Sequence, residues 1–99
     1  WVNFNGTGTI AARDSLNVSS LTDINTGRYE TNFTASMDSA NYVVQVTGDY
    51  SSGVATDPAI GANQNTSNTT AKCRITYADT SFTFDDTAYA VCSIHGDLA

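Results

Sequence analysis

The opening of the chain constrains its fold more than any other stretch. Two short half-apolar runs, residues 1–4 and 9–12, flank Asn5-Gly6-Thr7-Gly8. The two glycines accept the positive φ angles that a tight reversal demands, so the pattern predicts a hairpin. A period of two then puts Val2 and Phe4 on one face of the first strand, and Ile10 and Ala12 on one face of the second. A chain that begins this way is committed to β structure.

The remaining segments extend that reading. Arg13-Asp14-Ser15 is expected to be the turn that leaves the hairpin. Residues 16–23 alternate, with Leu16, Val18 and Ser20 on one face and Asn17, Ser19 and Leu21 on the other. Ile24-Asn25-Thr26-Gly27 signals a reversal, and residues 28–35 then set Tyr29, Thr31 and Phe33 against Arg28, Glu30 and Asn32. Residues 36–40 are too short and uncapped for a helix and predict a loop. Residues 42–47 have the strongest strand character, with Tyr42, Val44 and Val46 sharing a face, and are expected centrally in a sheet. Residues 48–70 carry Gly48, Gly53, Pro58 and Gly61 and a Ser/Thr/Asn/Gln run, and read as a long polar connection with a short strand at most over 49–55. Residues 72–77 and 88–94 read as a closing pair of strands. Tyr29, Phe33, Tyr42, Tyr77 and Tyr89 sit at alternating positions suited to a core.

Several of these segments carry a family resemblance. Trp1-Val-Asn-Phe-Asn-Gly-Thr-Gly-Thr9, then Asn17-Val-Ser-Ser20, Tyr29-Glu-Thr-Asn-Phe33 and Ala40-Asn-Tyr42, resemble the C-terminal domain of phage tail fibre and tail tip proteins. The resemblance spans nearly the whole chain and is most specific in its first half. It implies an all-β antiparallel sandwich of about seven or eight strands, trimeric, forming the C-terminal part of a longer virion fibre or tip protein. It also implies localisation in the virion, contacts with other tail proteins, and adhesion to a bacterial surface glycan or protein. Two alternatives stand beside it. One is a purely structural virion cap or decoration domain; the other is a carbohydrate-binding module of a larger enzyme.

Composition sets limits independent of the resemblance. Ninety-nine residues suit a single domain, 1–99, with a modest core. Charged residues are only 14%, against roughly 25% in an ordinary globular domain. Neutral hydroxyl and amide side chains take their place, and such surfaces associate without burying an unpaired charge. The net charge of −6 and the single close basic pair, Lys72 and Arg74, argue against a nucleic-acid ligand. No apolar run approaches the ~20 residues of a membrane-spanning helix, and membrane insertion is not expected.

The search for chemistry finds no catalytic constellation, phosphate loop or paired CxxC units, so neither enzyme activity nor a cofactor is expected. Symmetric pairing of the last two strands places Cys73 opposite Cys92. Two buried free thiols are favoured there over a disulfide, which would need the closer non-hydrogen-bonded register. Cys92 and His95, three apart on a strand, point to opposite faces and make a poor zinc pair with Cys73. Asp79, Asp85 and Asp86 read as a solvated acidic turn, not a calcium loop. Contact with a host is expected in the polar connection, at Tyr50, Asp57, Asn63, Gln64 and Asn65, where an aromatic beside hydroxyl and amide groups suits sugar stacking and hydroxyl bonding.

Overall fold

The computed structural model describes residues 1–49 and 58–99. Among these residues the chain forms eight strands: β1 (Val2–Asn5), β2 (Ala11–Ser15), β3 (Val18–Asn25), β4 (Arg28–Phe33), β5 (Val43–Gly48), β6 (Ile60–Asn63), β7 (Lys72–Ala78) and β8 (Ala90–His95). They make two four-stranded antiparallel sheets, β2-β1-β8-β5 and β3-β4-β7-β6, packed face to face as a sandwich. The predicted fold class is therefore observed.

The opening hairpin forms as β1 paired with β2, and Val2 and Phe4 are both fully buried. Its two glycines serve different ends. Gly8 has φ +59, the left-handed conformation that favours glycine. Gly6 instead supplies space, since a Cβ there would lie 2.5 Å from the Tyr29 hydroxyl. Residues 13–15 continue β2, so the turn falls at residues 16–17, where Asn17 takes φ +59. Its side-chain amide and carbonyl bond Ala35 O and Ala35 N at 3.0 and 2.7 Å, which holds that unusual backbone. In β3 a bulge between Val18 and Ser20 changes the strand's parity. As a result Val18 and Leu21 both pack on the core, although strict alternation assigns them to opposite faces.

Other expectations are corrected by pairing across the whole fold. β5 lies at a sheet edge, not in the centre, and Val43 is 59% exposed. Residues 58–70 include β6, which pairs with β7, and a single 3₁₀ turn over Asn65–Ser67. β7 and β8 are not partners. The connection between them crosses from one sheet to the other, so β7 lies between β4 and β6 while β8 lies between β1 and β5. Cys73 and Cys92 thus belong to opposing sheets, both fully buried and both free.

Three tyrosines tie the layers together. Tyr77 of one sheet donates from its hydroxyl to Thr47 O (2.7 Å) of the other and accepts from Val91 N–H (3.1 Å). Tyr29 sets its hydroxyl 2.8 Å from both Gly6 O and the Asp86 carboxylate. Tyr42, just before β5, reaches the opposite way, lying 2.8 and 2.7 Å from Thr69 O and Lys72 O. A buried hydroxyl without a partner costs roughly 1–3 kcal/mol, so each of these rings is fixed by its polar tip as well as its apolar body. Burial pushes all three phenols above their ordinary range, and they remain protonated donors.

Candidate functional site

The connection between β7 and β8, residues 79–89, is held by carboxylates. Asp79 Oδ1 accepts from Ser81 N (2.9 Å) and Thr83 N (3.0 Å), while Phe82 N donates to Asp79 O (3.0 Å). Farther along, Asp86 Oδ1 accepts from Gly27 N and from Tyr29 Oη, both at 2.8 Å, and Thr87 O accepts from Gly6 N (2.9 Å). The acidic turn expected from the sequence is therefore a bracing device. Asp79 and Asp86 each commit Oδ1, the former to two backbone N–H groups and the latter to one backbone N–H and the Tyr29 hydroxyl.

What this brace presents is aromatic. Phe82 is 82% exposed and adopts φ +61. The left-handed region costs a residue with a Cβ about 1–2 kcal/mol, so the local hydrogen bonds hold the ring outward against a backbone penalty. Phe84 and Tyr89 are also about half exposed. Each has a guanidinium over its ring: Arg28 Cζ lies 4.6 Å from the Phe84 centroid and Arg13 Cζ 4.0 Å from that of Tyr89. Tyr89, expected in the core, immediately precedes β8 and has the parity of Val91 and Ser93, opposite to the buried Ala90 and Cys92. An exposed, preset ring can stack on a sugar face or an apolar side chain, and an adjacent guanidinium can bond hydroxyl or carboxylate oxygens.

The residues expected to make the contact are distributed differently. Tyr50 and Asp57 lie outside the described residues. Asn63 is occupied: its amide and that of Asn68 bond reciprocally at 2.9 and 3.0 Å, and Asn63 Nδ2 also donates to Arg74 O at 2.8 Å. Gln64 is half-buried; its backbone N–H donates to Arg74 O, and its side-chain oxygen lies buried without a partner among the described residues. Asn65 is exposed at the start of the 3₁₀ turn and accepts from Asn68 Nδ2 at 3.2 Å. These three shape the entry to β7. The signal for the 79–89 loop was present in Phe82 and Phe84, which stand in a turn-forming stretch with no strand alternation to bury them.

A second surface lies at the β2–β3 side of the sandwich. An open apolar cleft of about 210 Å³ is lined by Trp1, Leu16, Val18, Phe33, Met37 and Leu98. It shares Val18 with a neighbouring cleft of about 290 Å³, which Ile10, Ala12 and Leu21 help to line. Leu16 is 64% and Leu98 58% exposed at its rim.

The outer face of the second sheet is polar. Glu30, almost buried, pairs with Lys72 Nζ (3.0 Å) and Arg74 Nη2 (2.9 Å). Burial alone pushes its carboxyl up, but the two cations outweigh burial and hold it below the usual carboxylate range. Ser93 Oγ and His95 Nε2 meet at 2.8 Å on β8, yet His95 is exposed and the pair lines none of the clefts described here. No cluster of three His, Cys, Asp or Glu suited to a metal occurs among the described residues. Comparison with protein-family models, curated proteins and solved structures returns no match.

Proposed function

We propose that this domain is the distal adhesion and assembly module of a phage tail fibre or tail tip, built as a homotrimer and touching a bacterial surface glycan or protein. The observation that carries the reading is the braced 79–89 loop, which holds Phe82 outward at φ +61. A contact surface prepared before binding loses little conformational freedom on contact, and repetition of a weak site over several copies multiplies its strength. The apolar cleft lined by Trp1, Leu16, Phe33 and Leu98 favours assembly, because burying it against sister chains removes apolar surface from water. The sequence resemblance supplies the virion setting, with other tail proteins as neighbours.

Two measurements test this. Light scattering is expected to give three times the 10.5 kDa chain mass at micromolar concentration, and a monomer would defeat the assembly half. Phe82→Ala, a solvent-facing change, is expected to lower retention on intact bacterial cells and surface polysaccharide at least about tenfold while leaving oligomerisation unchanged. Trimers that bind no surface, or bind equally well without the Phe82 ring, would favour the structural cap. A monomer that binds polysaccharide through Phe82 would favour the carbohydrate-binding module.

A further inference from the structure

Resting on the adhesion reading, we propose that the 79–89 loop recognises an acidic saccharide, with Arg13 and Arg28 as the groups that bond its carboxylate or phosphate oxygens. The chain has four basic side chains and ten acidic ones. Lys72 and Arg74 are both taken by Glu30. Arg13 and Arg28 bond no carboxylate among the described residues, although a chain of net charge −6 has carboxylates in excess. What they meet instead is aromatic, and both rings belong to one loop: Tyr89 under Arg13 and Phe84 under Arg28. The backbone sets each guanidinium in place. Arg13 is the extra residue of a bulge in β2, since Asn3 pairs with Asp14 and Phe4 with Ala12, and a bulge re-aims the side chain it carries. Its Nη1 lies 3.4 Å from Asn3 Oδ1, on the outer face of the first sheet. Arg28 begins β4 directly after Gly27, whose φ of +68 and N–H bond to Asp86 tie that turn to the brace. It alternates with the buried Tyr29 and so lies on the outer face of the second sheet. Arg28 is half-buried, and its Nε is buried with no partner among the described residues. A guanidinium so placed has lost part of its hydration without gaining a counter-ion.

Stacking leaves the polar chemistry of these groups available. A ring covers one flat face of a guanidinium, while the N–H groups lie in its plane and can form paired bonds to a carboxylate or phosphate. A neutral sugar offers only hydroxyl and ring oxygens, which make no use of the positive charge. An oxyanion uses the fork and the charge together, and such bonds are roughly twice as strong as neutral ones. The net charge of −6 opposes an anion at long range, but at physiological ionic strength that field is screened beyond about 8 Å and a direct contact is not. With one guanidinium on the outer face of each sheet, the loop suits a polymer that carries an anion in every repeat. The exposed Phe82 ring then supplies the apolar contact to the sugar face.

The test measures retention of the full chain on three immobilised polymers: polygalacturonate, poly(glycerol phosphate) and dextran. Retention on at least one of the two acidic polymers is expected to exceed that on dextran at least about tenfold, and which of them binds identifies carboxylate or phosphate as the oxyanion. Arg13→Gln and Arg28→Gln are each expected to lower retention on that polymer at least about fivefold, with retention on dextran unchanged. Equal or stronger retention on dextran, or a preference for acid that survives both substitutions, would overturn the proposal. If a substituted chain does not fold, as judged by its thermal midpoint, the wild-type preference decides alone. Chains that hold bacterial cells through Phe82 yet show no acid preference would remove this inference and leave adhesion standing. Chains that hold neither cells nor polymers would remove both.

Discussion

The two flanks of the sandwich are built differently. At the β5–β6 flank the layers are drawn together around Tyr77: a Cβ on Gly61 would lie 2.7 Å from Val46 Cγ1, and one on Gly48 would lie 2.9 Å from Tyr77 Cε1. There the absence of a side chain permits the approach, and the Tyr77 hydroxyl fastens it to Thr47 O. At the β2–β3 flank a two-residue turn joins the sheets, but Trp1, Leu16, Val18 and Phe33 line an open apolar cleft, and Ile10, Ala12 and Leu21 line a neighbouring one together with Ser15, Ser19 and Ser20. A short chain with two layers has enough apolar volume to seal one side tightly. The other side retains the surface from which assembly would draw its driving force.

Substitutions can break or sharpen this contrast. Tyr77→Ala removes a fully buried ring and its cross-sheet bonds, and is expected to cost about 3–5 kcal/mol, measured by urea unfolding. Gly61→Ala, on the same flank, is expected to cost about 1–3 kcal/mol, because Val46 and Tyr77 must move aside. Leu16→Ser on the open flank is expected to change chain stability by less than about 0.5 kcal/mol, while shifting light scattering toward smaller species. A loss as large as that of Gly61→Ala would show that the open flank is part of the core after all.

Glu30 lies on neither flank and supplies a control. Its carboxyl is held below the ordinary value, so its contribution is fully present above the unfolded carboxylate pKa of about 4.3 and is lost as the pH falls through the lower folded value. Glu30→Gln is expected to flatten the acid limb of a thermal-midpoint profile while leaving the contrast between flanks intact. An effect of the opposite sign is expected from Thr31→Val. The Thr31 hydroxyl is buried without a partner among the described residues, and its replacement should leave stability equal or raise it by up to about 1 kcal/mol.

Much of the strand content was legible locally. The alternation of Tyr29, Thr31 and Phe33 against Glu30 and Asn32 located β4 and its buried face, and the glycines before Ile10 located the first hairpin. Positions where alternation fails were harder. The bulge at Val18 and Ser20 reverses β3's parity with no marker residue, and β6 is four residues hidden in a polar run. The candidate contact loop was missed for a related reason. Phe82 resembles a core residue in composition; its turn-forming neighbours were the one local cue, and the Asp79 brace and the left-handed backbone are what turn it outward.

By itself the sequence determined that this is a β protein, which stretches become most of its strands, and which side chains of most of those face inward. These follow from a period of two and from turn chemistry, both of which act over a few residues. Only the tertiary structure decided that β7 and β8 part company into opposing sheets, that β5 takes an edge, and that the two cysteines lie on different layers of the core. Strand partners are chosen by closing the whole chain around one apolar interior, and every antiparallel alternative satisfies the same local pattern equally well.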